Sequence, residues 1–288
     1  MFMVQKNTSN NLLVCNYCSL NFNKLVKIFF TSTRIFSRLC YRLGEVFVLG
    51  ACLLSVLRIP TVLTAPVGQS AMELNGKPRW INPCEIDPAT LVMNEDNITQ
   101  HAQLKTVLLQ TENALNHARK FRNEYVKHTF HVDFNDHHNA WKTSINYENW
   151  LPKIDKSLGE GTPEEHLANL EFDTSLKDIY KFLQVFAVAL EQLIYDMKVE
   201  NEPFSQYFEE AFGFVNAALC EYQFVMLERG VTPHPDVTRE IMSDDLRKIA
   251  SSTERNLRDW VIFRDYMNTL EYAVEVLNHL KSKSLEAN

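Results

Sequence analysis

Residues 244–281 read DDLRKIASSTERNLRDWVIFRDYMNTLEYAVEVLNHLK, and the spacing of their apolar side chains decides the fold class. Leu246, Thr253, Trp260, Met267 and Val274 recur every seventh residue, and Ile249, Asn256, Phe263, Leu270 and Leu277 fill the positions between them. Eight of these ten seam positions are apolar, the pattern of a helix packed lengthwise against others at about 20°. A second set, Ile262, Tyr266, Ala273, Val276 and Leu280, lies away from the seam, so the C-terminal half of this helix is apolar over most of its circumference. In water such a face needs a cover. Two readings stay open: another part of the chain lies over it, or Ile262, Tyr266, Tyr272 and Val276 form a partner-binding surface.

Three upstream segments carry the same period. Leu176, Ile179, Leu183, Phe186, Leu190, Leu193 and Met197 predict a helix from about Asp173 to Val199, broken by Asn201, Glu202 and Pro203. Phe208, Phe212, Val215, Leu219, Tyr222 and Met226 predict the next, ended by Gly230, which accepts the left-handed C-terminal turn. So short a link makes these two antiparallel neighbours. Leu104, Leu108, Thr111, Leu115, Ala118 and Tyr125 predict the first long helix, capped near Asp96 or Thr99 and ending about His128.

From Thr129 to Thr162 the period dissolves, and a connection this long in a compact domain is functional or a crossover. Trp141 and Trp150 predict that it packs on the helices. Thr162, Pro163 and Glu165 read as a capping box, with a short helix through Leu167 and Leu170 behind it. The expected organisation is all-α: a basic leader over 1–70, an extended lead-in over 71–97 with Pro78, Pro83 and Pro88, a four-helix bundle over 98–281, and a tail over 282–288.

The first 65 residues carry Lys6, Lys24, Lys27, Arg34, Arg38, Arg42 and Arg58 against one acid, Glu45. Removing 7 of 29 bases and 1 of 36 acids leaves 22 against 35, a net charge of −13, which excludes nucleic acid as a partner because phosphate binding needs basic patches. Val46 to Leu57 holds no charge and spans roughly 18 Å as a helix, short of the ~30 Å of a hydrocarbon core. It reads as the apolar region of a signal peptide, with an uncleaved signal anchor as the alternative and the only route to a membrane. Export would remove Cys15, Cys18, Cys40 and Cys52, leaving Cys84 and Cys220 as a disulfide pair or, failing that, two buried thiols. Asn97, followed by Ile98 and Thr99, is a glycosylation acceptor in an exported chain.

Catalytic signatures are not found. The Glu-x-x-His pairs of di-iron bundles, a Gly-x-Ser-x-Gly elbow, a phosphate-cradling glycine loop and His-Glu-x-x-His are all missing, so neither enzyme activity nor a cofactor is expected. The one polar constellation, His131, Asp133, His137 and His138 beside His128 and Asp136, supplies zinc-ligand chemistry if the loop folds back on itself. Solvated loop residues are the simpler reading, and no metal is expected. Trp80 and Trp260 read as packing anchors.

An acidic, exported chain with four long helices, a long first crossover containing a short helix, an abrupt second turn and a long final helix resembles the long-chain helical cytokines over residues 98–281. The resemblance is architectural and assigns no binding residues. It implies a secreted, extracellular ligand of a cell-surface receptor, of the kind that signals through Janus kinases and STAT factors. The up-up-down-down order of that class needs a last link as long as the bundle, and residues 231–243 reach at most ~43 Å against ~37 Å for the third helix. If 236–242 were helical and continuous with the final helix, the bundle would be plainly antiparallel. The competing expectation is a secreted or membrane-anchored structural or adaptor protein that forms homo-oligomers through the final helix.

Overall fold

The computed structural model describes residues 76–87, 100–142 and 150–286, all within the compact unit Ser70–Asn288. The expected leader with its signal sequence, the glycosylation acceptor Asn97 and the last two residues lie outside the described residues. The described residues form seven α-helices and no strand: α1 (Gln100–Phe130), α2 (Phe134–Trp141), α3 (Glu164–Ala168), α4 (Phe172–Glu200), α5 (Ser205–Glu228), α6 (Asp244–Arg247) and α7 (Ser252–Glu286). Among them, no helix is long and apolar enough to cross a membrane.

Local chemistry ends α4 and α5 as the sequence predicts. Asn201 adopts φ 56°, its N–H donating to Lys198 O, and Glu202 N donates to Met197 O at 2.8 Å. Gly230 at φ 65° does the same for α5, with Val231 N on Met226 O at 2.8 Å. Both are left-handed caps that satisfy carbonyls a helix end otherwise leaves unpaired.

Each long helix meets two others: α1 packs on α5 and α7, and α4 packs on α5 and α7. Along α1 and α7, Arg119 meets Glu271 at 2.8 Å, the Phe121 and Phe263 rings lie 5.0 Å apart, and Phe130 lies 6.3 Å from Trp260. Along α1 and α5 the pairs are His117 with Phe214 (4.9 Å) and Phe121 with Phe208 (5.1 Å), and His128 meets Phe204, the residue just before α5, at 5.4 Å. Along α4 and α5, Asp173 pairs with Arg229 just beyond the helix end, and Lys198 pairs with Glu209. Along α4 and α7, Phe186 lies 5.8 Å from Tyr266, and Asp196 meets Arg258 at 2.7 Å. Phe121, Tyr125, Phe208 and Phe263 form the aromatic centre of the core.

The final helix begins later than its heptads imply. Leu246 lies in the single turn α6, and α7 starts only at Ser252. Guanidinium groups take the carbonyls that a continuous helix would use: Arg258 Nη1 donates to Leu246 O, and Arg255 Nη1 to Ile249 O and Ala250 O. The link from α5 to α7 is therefore residues 229–251, with a 3-10 turn at Arg239–Ile241 in place of a helix continuous with α7. It runs the length of α4. Arg229 pairs with Asp173 and His234 with Asp178, Val237 N donates to Gln184, and Arg239 forks onto Glu191 at 2.6 and 2.7 Å. Arg247 then reaches Gln192 at 2.8 Å.

Of the two readings open for the apolar face of α7, the cover by another part of the chain is what the structure shows, and the partner-binding surface is corrected. Ile262, Tyr266 and Val276 are wholly buried, and Tyr272 is half-buried with its hydroxyl 2.9 Å from His166 Nε2 of α3. Residues 150–162, which read as loop, lie along this helix. Lys156 Nζ reaches Asn268 Oδ1 and Glu271 Oε2 at 3.2 Å each, Gly159 N donates to Glu271 at 2.7 Å, and Thr162 N to Glu275 at 2.7 Å. The expected capping box at Thr162 is also absent: α3 starts at Glu164 without a side-chain cap, the Thr162 hydroxyl caps no backbone N–H, and the Thr162 N–H goes to Glu275 instead of Glu165. The expected tail is helical as far as Glu286, and α2 is a helix inside a stretch that showed no period.

Candidate functional site

The residues singled out for metal binding are dispersed by the local fold. α2 turns His137 inward, where its ring stacks on Phe130 at 4.1 Å and meets the edge of Trp260 at 4.6 Å. His138 instead stacks on Phe134 at 5.9 Å, while His131 and Asp133 stay exposed in the turn before α2. Burial holds both imidazoles of α2 below the ordinary histidine range, so they are neutral packing groups at pH 7. Among the described residues no group of three or more His, Cys, Asp or Glu is placed to hold a metal ion.

Cys84 and Cys220 form a disulfide, with Cα atoms 4.8 Å apart. It ties the lead-in to α5, and polar contacts continue the tie: Gln223 donates to Asn82 Oδ1 at 2.8 Å and accepts from Cys84 N at 3.2 Å. Trp80, also in the lead-in, is fully buried and donates its indole N–H to Val237 O at 2.7 Å. Gln184 of α4 bonds both Trp80 O and Val237 N, so one side chain clamps the lead-in and the 229–251 link to the same helix.

Two places on the outside combine apolar surface with polar groups. At the seam of α1 and α5, Tyr207 is 41% exposed, although its ring lies 5.3 Å from Phe121. His117 Nε2 donates to Tyr207 O at 2.9 Å, and its ring packs 4.9 Å from Phe214, one heptad along α5. A shallow cleft of about 510 Å³ opens beside this cluster, lined by Asn113, Asn116, His117, Arg119, Lys120 and Phe214. Phe224, 43% exposed, lies farther along α5. Aromatic side chains rimmed by polar ones are the composition of energetic centres in protein interfaces. The sequence marks Tyr207 and Phe214 only by their position off the apolar stripe of α5.

The second place is where α1 and α4 end and α5 and α7 begin. A pocket of about 400 Å³ there is lined by Tyr125, His128, Met197, Phe204 and several charged groups. Behind it Arg258, whose side chain is 0% exposed, holds Asp196 at 2.7 Å and Asp259 at 2.6 and 2.9 Å. Burial pushes the Asp259 carboxyl up from 3.8 to about 6, against the pull of Arg258. A carboxyl whose folded value exceeds its unfolded one stabilises the fold most below the unfolded value, and loses that contribution as the pH rises through the folded value. Between pH 4 and 7, wild-type stability is therefore expected to fall by about 2 kcal/mol relative to Asp259→Asn. Urea unfolding at both pH values reads this directly; an unchanged gap between the two proteins would show that Asp259 does not titrate in that range.

Comparison with known proteins finds no matching family model, no matching curated protein and no matching solved structure.

Proposed function

We propose that this chain is an exported, non-enzymatic ligand for a cell-surface receptor, built as a four-helix bundle with the up-up-down-down order of the long-chain helical cytokines. The order of the cross-helix pairs carries the reading. From Arg119 through Phe121 to Phe130, the α7 partners fall from Glu271 through Phe263 to Trp260. From His117 to His128, the α5 partners fall from Phe214 to Phe204. The partners of α4 fall in the same way, from Arg229 to Glu209 on the α5 side and from Tyr266 to Arg258 on α7. These orders support a bundle in which α1 and α4 both run against α5 and α7, so that α1 is parallel to α4 and α5 to α7. Such an order needs two crossovers that travel the length of the bundle. The 229–251 link, pinned at successive levels of α4, meets that need, and its 23 residues reach well beyond the ~36 Å of a 24-residue helix.

Export is supported by the disulfide, a bond at home in oxidising compartments, and by the basic, then apolar, first 65 residues. The receptor face in this reading is the α1 and α5 seam around Tyr207, His117 and Phe214. Self-association through Ile262, Tyr266 and Val276 has no support, because those side chains belong to the core.

Expression in secretory cells followed by N-terminal sequencing of the medium tests the reading. A mature start between residues 65 and 72 is expected, and protein retained wholly inside the cells would overturn it. Tyr207→Ala combined with Phe214→Ser is then expected to weaken capture on responsive cells at least ten-fold, with a circular-dichroism melt within a few degrees of wild type. Equal capture by the variant would place the receptor contact elsewhere.

A further inference from the structure

The pocket between the ends of α1 and α4 and the starts of α5 and α7 is over-supplied with negative charge. Asp196, Glu200, Glu202 and Asp259 line it. Arg258 serves Asp196 and Asp259, and Arg255 serves Glu200, which leaves two more carboxylates than guanidiniums. Independently, Tyr125 lines the same pocket while only 1% exposed, and its hydroxyl has no hydrogen-bond partner. Buried hydroxyls in native proteins are paired, so this one marks a place where another polar group belongs. A water molecule would satisfy the hydroxyl but leave the surplus charge without a counter-ion.

We propose that the pocket receives one ammonium group on an unbranched apolar stem, a lysine side chain presented by the partner. The walls fit both parts of that group. Met197, Phe204 and the Tyr125 ring form an apolar side, with the Tyr125 and Phe204 rings 5.5 Å apart and nearly perpendicular, suited to methylenes and to a cation over a ring face. Glu202 and Asp259, whose charges both act on the Tyr125 hydroxyl, supply polar lining. An inorganic cation fits less well, since no three ligating side chains among the described residues converge. Glu202 follows directly on the left-handed Asn201 that caps the end of α4.

The partner in this inference is the receptor of the proposed function, but its test needs no receptor. The exported, disulfide-bonded protein is titrated with Nα-acetyl-lysine methylamide, and with the same probe acetylated at Nε, by saturation-transfer NMR. Saturable binding of the charged probe is expected, at least ten-fold tighter than that of the neutral one. Glu202→Gln, which removes a carboxylate with no part in the helix cap, is expected to weaken it about five- to ten-fold. Absence of saturable binding, equal binding of both probes, or indifference to Glu202→Gln would each overturn the proposal. Cell capture by wild type, measured separately, bears only on the ligand reading, so the two failures are distinguishable.

Discussion

Replacing Cys84 and Cys220 together with serine is expected to lower the unfolding free energy by about 5 kcal/mol. The two residues stand 136 positions apart, and closing a loop of that length in the unfolded chain is worth about 5 kcal/mol on the chain-entropy model. The folded state bears part of the loss too, because the disulfide holds the lead-in against α5 and so supports the insertion of Trp80 between α4 and the 229–251 link. Urea unfolding of the double variant, compared with oxidised wild type, is the measurement. A loss under 1 kcal/mol would mean that Trp80 and Gln184 hold the lead-in unaided. Reduction of wild type should reproduce the variant's midpoint, which separates cross-link entropy from any effect of the serines.

Lys156→Met should cost about 3–5 kcal/mol, out of proportion to a lysine that reads as part of a surface loop. Its side chain is 1% exposed, and its ammonium meets Glu271, Asn268 and the carbonyls of Ser157 and Glu160. Without it Glu271 stays buried, with only Arg119 and the Gly159 N–H to balance its charge. Burial opposes ionisation of Glu271, but Gly159, Arg119 and Lys156 together outweigh it and hold the carboxyl below its usual range. Its contribution is therefore present above the unfolded value and is lost as the pH falls through the folded one, the opposite sense to Asp259. Removing both partners, as Lys156→Met with Glu271→Leu, is expected to cost less than Lys156→Met alone, since no uncompensated charge remains. A single-variant loss under 1 kcal/mol would show that the 150–162 segment is held by its apolar contacts, Leu151 and Leu158, and not by the ion pair.

The site residues were legible to unequal degrees. Cys84 and Cys220 could be paired by counting, because the other four cysteines lie in the leader. Trp80 could be recognised as an anchor by size, though not its partner 157 residues away. The pocket beside Tyr125 had no signal at all: Asp196, Glu200 and Asp259 each look like members of a wet helix face, and only the convergence of four helix ends concentrates their charge. The choice at Ile262, Tyr266 and Val276 has the same root. Their apolar face requires a cover, but a strap of mixed composition, pinned by one buried lysine, leaves no periodic trace that would decide between the chain itself and a partner.

Local rules of spacing and capping were enough to place four long helices, the break after α4 and the left-handed Gly230 that ends α5, since those depend on contacts three to five residues apart. Which faces of those helices meet solvent, how far the 229–251 link travels, and where Arg258 and Lys156 find their counter-charges were decided by tertiary structure alone. The physical reason is range. A helix is closed by bonds within one turn, whereas a buried charge is compensated by whichever group the packing brings near, at any distance along the chain.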